Sequence, residues 1–170
     1  MPRSPLALLL GSIVAAMLLG VGAARADGAR PVAANGAAVA GEHYVPAHSS
    51  VRAGDGGTRI DLAVTLSIHN ASQTLPLVLT RIDYYDGSGR RVQSHLAEPR
   101  TLAPFATHEV FVAKNDVRGG LGANFVVGWR AEAPIAEPVI EAVTIGDFAN
   151  QSYAFVSVGR RIEIVGAGAP

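Results

Sequence analysis

"TRIDLAVTLSIHN", residues Thr58 to Asn70, decides the fold class. Ile60, Leu62, Val64, Leu66 and Ile68 alternate with Arg59, Asp61, Ala63, Thr65 and Ser67. Side chains of an extended chain point to opposite faces in turn, so this period of two predicts a strand with one buried face.

The same period recurs outward from that stretch. "LPLVLTRIDYYD" (75–86) reads as a strand and "GRRVQSHL" (89–96) as its neighbour, with "DGSG" (86–89) supplying the turn residues of a hairpin. "HEVFVA", "NFVVGWRA", "PVIEAVTIG", "YAFVSV" and "RRIEIV" follow, and an earlier strand lies around "HYVPAHSSV". Pro46 in that earlier strand lacks a donor and suits a sheet edge. About nine strands with turns between them and no helical period predict an all-β, antiparallel sandwich of the immunoglobulin or fibronectin kind. Phe125, Val127 and Trp129 form one row, assigned to the core. In the 75–86 strand, Leu77 and Leu79 face opposite to Val78, Ile82 and Tyr84. A β-bulge near Thr80-Arg81 would reconcile the two rows; an outward apolar patch is the alternative.

The ends read differently. Arg3, an apolar run from Leu6 to Val21 and "AARA" at 23–26 have the form of an export signal cut after Ala26. An uncleaved membrane anchor is the alternative, because Leu6 to Ala24 is free of charge. Residues 27–41 lack large apolar groups and read as a disordered tether; 42–165 form the sandwich domain and 166–170 a disordered tail. Thirteen arginines against one lysine, with abundant Ala and Gly, suggest a bacterial source, and the expected compartment is the periplasm or outside the cell.

Composition excludes several functions. Without residues 1–26, 12 basic and 14 acidic side chains remain, a net charge of −2, which is no footprint for nucleic acid. The chain has no cysteine, so it has no disulfide, thiolate nucleophile or cysteine-bound metal. Asn70-Ala71-Ser72 matches a glycosylation acceptor, and is read here as a turn.

From about Tyr44 to Ile164 the chain resembles a bacterial family of small exported proteins catalogued only as a domain of unknown function. "VPAHSSV", "TLSIHN", "IDYYD", "GGLGANFVVGW", "EPVIEAVTIG" and "FVSVG" carry the resemblance. The chain departs from the family pattern at Thr144 and Val158, where that pattern has Met and Arg. The resemblance implies a discrete exported domain and assigns no activity, ligand or site. A looser likeness, at the level of fold, is to the fibronectin-like sandwiches of late-embryogenesis and water-stress proteins.

Three features carry candidate chemistry. The first is "KNDVRGGLGANFVVGW" (114–129), dense in glycine. A phosphate-binding loop needs Gly-Lys-Ser/Thr and a following helix, and a dinucleotide fingerprint also needs the helix. Here a strand follows, so the loop reads as a structured connection begun by Asn115-Asp116.

The second is placement. Connections alternate between the two ends of a sandwich. "AGDGG", "DGSG", "NDVRGGLG" and "GDFANQS" should therefore share one end, bringing Asp55, Asp86, Asp116 and Asp147 there with Arg118 and Asn124. That loop end is the candidate binding surface. No resident cofactor is expected; Ca²⁺ is the one metal such carboxylates suggest, although no EF-hand-type loop is present.

The third is Glu141, which shares a row with Val139, Val143 and Ile145. If that row is the core, Glu141 is a buried acid needing a partner such as Arg81, Arg118 or Arg130. The histidines show no metal-ligand spacing and read as solvated, and no Gly-x-Ser-x-Gly elbow is present.

These features predict a non-catalytic binding or accessory module of the bacterial envelope, with an envelope protein or peptide as partner. Its working surface is the loop end or an exposed strand edge. A metal-dependent or carboxylate-using hydrolase at the same end is the alternative, and a structural stress-related protein without a specific ligand is the third reading.

Overall fold

A computed structural model describes residues 38–162. They form two antiparallel sheets and a hairpin. The strands are β1 (Ala38–Pro46), β2 (Ser50–Ala53), β3 (Thr58–Asp61), β4 (Ala63–His69), β5 (Leu77–Tyr85), β6 (Arg91–Ser94), β7 (Arg100–Leu102), β8 (Thr107–Val112), β9 (Asn124–Ile135), β10 (Val139–Phe148), β11 (Gln151–Val158) and β12 (Arg160–Ile162). One sheet runs β12-β1-β9-β5-β6, with β7 also on β5; the other runs β11-β10-β4-β8; β2 and β3 pair with each other.

The alternation in residues 58–70 places Ile60, Leu62, Val64, Leu66 and Ile68 in the interior, each at most 6% exposed. The stretch is nevertheless two strands. Leu62 separates them: β3 pairs with β2 while β4 pairs with β10 and β8, and Leu62 between the two donates its N–H to the carbonyl of Ser49, just before β2. Residues 43–51 divide in the same way into β1 and β2, and β7 lies in a segment without period two. Twelve strands therefore stand where nine were expected.

Facing rows fill the space between the sheets. Phe125, Val127 and Trp129 of β9 lie beside Leu77, Leu79, Ile82 and Tyr84 of β5, opposite Val64, Leu66 and Ile68 of β4. The expected bulge is present. The β5–β9 register shifts between Leu79 and Arg81, which lets Leu79 and Ile82 both point inward with Thr80 exposed.

Four sequence readings need correction. β1 is not an edge strand: it lies between β9 and the short β12. Pro46 still meets no conflict, because β12 pairs only with Glu42, His43 and Tyr44. β1 also begins at Ala38, inside the segment read as a tether; residues 27–37, the export signal and the tail lie outside the described residues. His43 is 4% exposed rather than solvated, and accepts a hydrogen bond from Trp129 Nε1 at 3.4 Å.

The fourth correction concerns β10. Its interior row is Ile140, Ala142, Thr144 and Gly146, and Glu141 lies half-buried on the outer face with Val139, Val143 and Ile145. Both rows of "PVIEAVTIG" are largely apolar, so alternation alone could not choose between them. Leu62 packs against the inward row: a Cβ at Gly146 would stand 2.1 Å from Leu62 Cδ2, so any side chain there would force Leu62 to shift. Glu141 therefore needs no buried partner, and among the described residues it forms no ion pair with Arg81, Arg118 or Arg130.

The Asn70 turn is structural. Asn70 is 1% exposed, and its amide nitrogen donates to the carbonyls of Leu75, Leu102 and Ala103.

Candidate functional site

β1, β5 and β8 end, and β4 and β9 begin, at one end of the sandwich, where β10 also turns into β11. The β2–β3 hairpin and the 86–90, 113–123 and 149–150 connections therefore share that end.

β5 enters this end with Asp83 and Tyr84 buried. Burial works against the charge of the Asp83 carboxylate, but hydrogen bonds from Arg81 and Ser94 and the nearby charges of Arg81 and Arg91 outweigh it and hold its pKa below the ordinary value. Asp86 then builds the turn. Its Oδ1 accepts the Ser88 hydroxyl at 2.6 Å and the N–H groups of Ser88 and Arg90 at 2.9 and 3.0 Å, while Oδ2 accepts Arg90 Nε at 3.1 Å. These bonds, the Ser88 hydroxyl first, bring its pKa down to about 2.

The glycine loop packs against that turn. Gly87 donates its N–H to Gly119 C=O at 3.3 Å, Ser49 Oγ donates to Gly120 C=O at 3.2 Å, and Ala47 N–H donates to Ala123 C=O at 2.9 Å. His48 Nδ1 lies 2.7 Å from the Leu121 carbonyl oxygen. The glycines permit close approach: a Cβ on Gly119 would fall 2.0 Å from the Tyr84 hydroxyl. Asp116 caps the loop as its sequence suggested, accepting Arg118 N–H at 3.3 Å. The carbonyls of Gly119, Gly120, Leu121 and Ala123 are turned into the protein, so the loop closes the end of the sandwich.

Arg118 is the outward element of that loop. Its Nε and Nη2 grip Asp116 at 2.7 and 2.6 Å, and Nη2 also donates to Gln93 of β6 at 2.9 Å. The bond to Arg118 is the main cause of the lowered Asp116 pKa. Arg90, Arg91, Val92 and Arg118 line an open concavity of about 320 Å³. Each guanidinium meets a carboxylate: Arg90 that of Asp86, Arg118 that of Asp116, and Arg91 that of Asp83 at 3.5 Å, an oxygen it shares with Arg81. Arg90 Nη1 and Nη2, Arg91 Nε and Nη2, and Arg118 Nη1 bond no group among the described residues. Below them, Tyr84 Oη and His95 Nε2 are buried without a hydrogen-bond partner among the described residues. Burial raises the Tyr84 pKa and lowers that of His95.

The four expected aspartates thus occupy one end but not one site. Asp86 and Asp116 back the arginine concavity. Asp147 binds Lys114 at 2.6 Å, and Asp55 accepts Gly57 N–H at 3.0 Å at the tip of the β2–β3 hairpin. Asn124 is buried, with its amide 3.4 Å from Gly122 C=O, and serves the loop's packing. Among the described residues no three His, Cys, Asp or Glu side chains gather as a metal-ligand set. Sequence reasoning missed Arg90, Arg91 and Gln93; the only signal was a pair of arginines directly after a turn.

Comparison with curated proteins gives no match. The solved structure titled "Crystal Structure of Thermotoga maritima 1070" aligns at 12% identity over 71% of this chain and 92% of that chain, with a TM-score of 0.42, too loose a likeness to carry an argument. Residues 40–162 match the family described as "Protein of unknown function (DUF3124)". With that match spanning the whole sandwich except its first two residues, the chain belongs to the DUF3124 family of proteins of unknown function.

Proposed function

We propose that this chain is an exported, non-catalytic binding module of the bacterial envelope, and that its loop end grips an acidic segment of an envelope protein or peptide. The supporting observation is the concavity lined by Arg90, Arg91 and Arg118, whose guanidiniums are fixed from behind while donors remain outward. A guanidinium already oriented by one carboxylate loses less freedom on meeting a second, and its planar fork suits carboxylate geometry. The acidities keep the three carboxylates charged behind the guanidiniums. Asp83, Asp86 and Asp116 all shift downward, whereas a general acid needs an upward shift.

Titration calorimetry with hexaglutamate and, separately, inorganic phosphate tests this. Hexaglutamate should bind the wild type, and Arg90→Ala with Arg91→Ala should weaken it about tenfold or more, as loss of charged hydrogen bonds implies. Arg130→Ala should leave binding unchanged. Equal affinity for phosphate would replace the acidic segment with any small anion, and no binding of either would remove the proposal.

A further inference from the structure

β11 is the outermost strand of its sheet: β10 covers one side, and among the described residues nothing pairs with the other. Protein sheets usually blunt such an edge with charge, proline, a bulge or a cover. "QSYAFVSV" has no charge and no proline, and its register with β10 runs unbroken from Gln151 to Val158. Both of its faces are apolar. Ala154 and Val156 lie on the outer face opposite Ile145 and Val143. Tyr153 and Phe155, on the inner face, line a mainly apolar groove of about 240 Å³ with Val51, Arg52, Ala53, Ile60 and Leu62. A strand apolar on both faces has the composition of a sheet interior.

The hydrogen-bond parity of the edge is fixed. Gly159 donates its N–H to Ile140 C=O at 2.8 Å. Backbone groups of an antiparallel strand alternate sides, so those of Phe155 and Ser157 serve β10. The N–H and C=O groups of Ser152, Ala154 and Val156 point to the open side.

We infer that this edge is completed by β11 of a second copy of the chain, antiparallel, across a two-fold axis at Ala154. Identical strands meeting across a two-fold make a self-complementary pair. The electrostatics fit this occupant: with no charge on the strand, two copies of it meet without repulsion along the edge. Centring on Ala154 places outward-pointing residues against outward-pointing residues. It sets Tyr153 opposite the partner's Phe155 and Phe155 opposite the partner's Tyr153, so both aromatics pair within the two grooves. The two four-stranded sheets become one sheet of eight.

Sedimentation of the full chain and a cysteine scan test the pairing. The wild type should show a reversible monomer–dimer equilibrium in the micromolar range. Ala154→Pro removes an outward N–H from each copy without touching the β10 ladder, and should weaken the dimer about tenfold or more, with a thermal midpoint equal to the wild type's at concentrations low enough for both to be monomers. The chain has no cysteine of its own, so Ala154→Cys gives a clean probe. Facing Cα atoms about 5.5 Å apart accept a disulfide, and mild oxidation should yield a covalent dimer. Ser152→Cys should not cross-link, because its counterpart lies about 13 Å away along the paired strand.

A monomer at every concentration overturns the inference. So does a dimer indifferent to Ala154→Pro, or cross-linking of Ser152→Cys as readily as Ala154→Cys. If the chain's own residues before 38 or after 162 cover the edge, Ala154→Pro will instead lower the thermal midpoint of a monomer, which also overturns it.

Discussion

The backbones of Gly87 and Gly122 touch: a Cβ on Gly122 would stand 2.9 Å from the Gly87 Cα, whereas a Cβ on Gly87 would stand 3.4 Å from the Gly122 backbone. This contact joins the Asp86 turn to the glycine loop and so sets the spacing of Arg90 from Arg118. The obstacle to a side chain on Gly122 is backbone, which cannot rotate away. Gly122→Ala should therefore cost about 1–3 kcal/mol, the range for overpacking, and Gly87→Ala clearly less. Urea unfolding midpoints of the two variants check the asymmetry.

Thr144 is fully buried on β10, and its hydroxyl has no partner among the described residues. Valine has the same shape without the unsatisfied group. Thr144→Val should stabilise the protein by about 1 kcal/mol. Glu141→Gln, one register position away from the interior row on the outer face, should change stability by less than about 0.5 kcal/mol. If Glu141→Gln proved the costly one, the assignment of β10's faces would be reversed.

Stability should fall on the acid side in two stages. Burial lowers the pKa of His43, His95 and His108 below 6.5, so the folded protein keeps them neutral while the unfolded chain protonates near 6.5. More protons bound by the unfolded state means stability lost as pH drops through that value. Asp83, Asp86 and Asp116 are depressed instead, Asp86 to about 2. Their contribution is complete above the ordinary aspartate range and disappears as pH falls from about 4 toward 2. Urea midpoints should be flat above pH 7, slope down below about 6.5, and slope again below about 4. His43→Asn should shallow the first slope only, since it keeps an acceptor for Trp129 without the titration.

How far the sequence revealed this molecule depended on whether one face differed from the other. Val64, Leu66 and Ile68 alternate with Thr65 and Ser67, and the interior row could be read directly. The bulge at Thr80-Arg81 was legible because two apolar rows within one strand demanded it. β10 was not, because Val143 and Thr144 suit either face and Leu62, which packs against the inward row, is distant in sequence. The shared loop end followed from strand alternation. Its charge pairing did not, since each aspartate's nearest cation (Arg90 for Asp86, Arg118 for Asp116, Lys114 for Asp147) is a matter of turn geometry. Arg91 became visible only once β6 was folded beside Asp83.

The most direct measurement of the central claim is an NMR titration of arginine side-chain N–H resonances with hexaglutamate. Saturable shifts confined to Arg90, Arg91 and Arg118, with Arg100 and Arg130 still, are the predicted result. No shift, or equal shifts across every arginine of the chain, would contradict it.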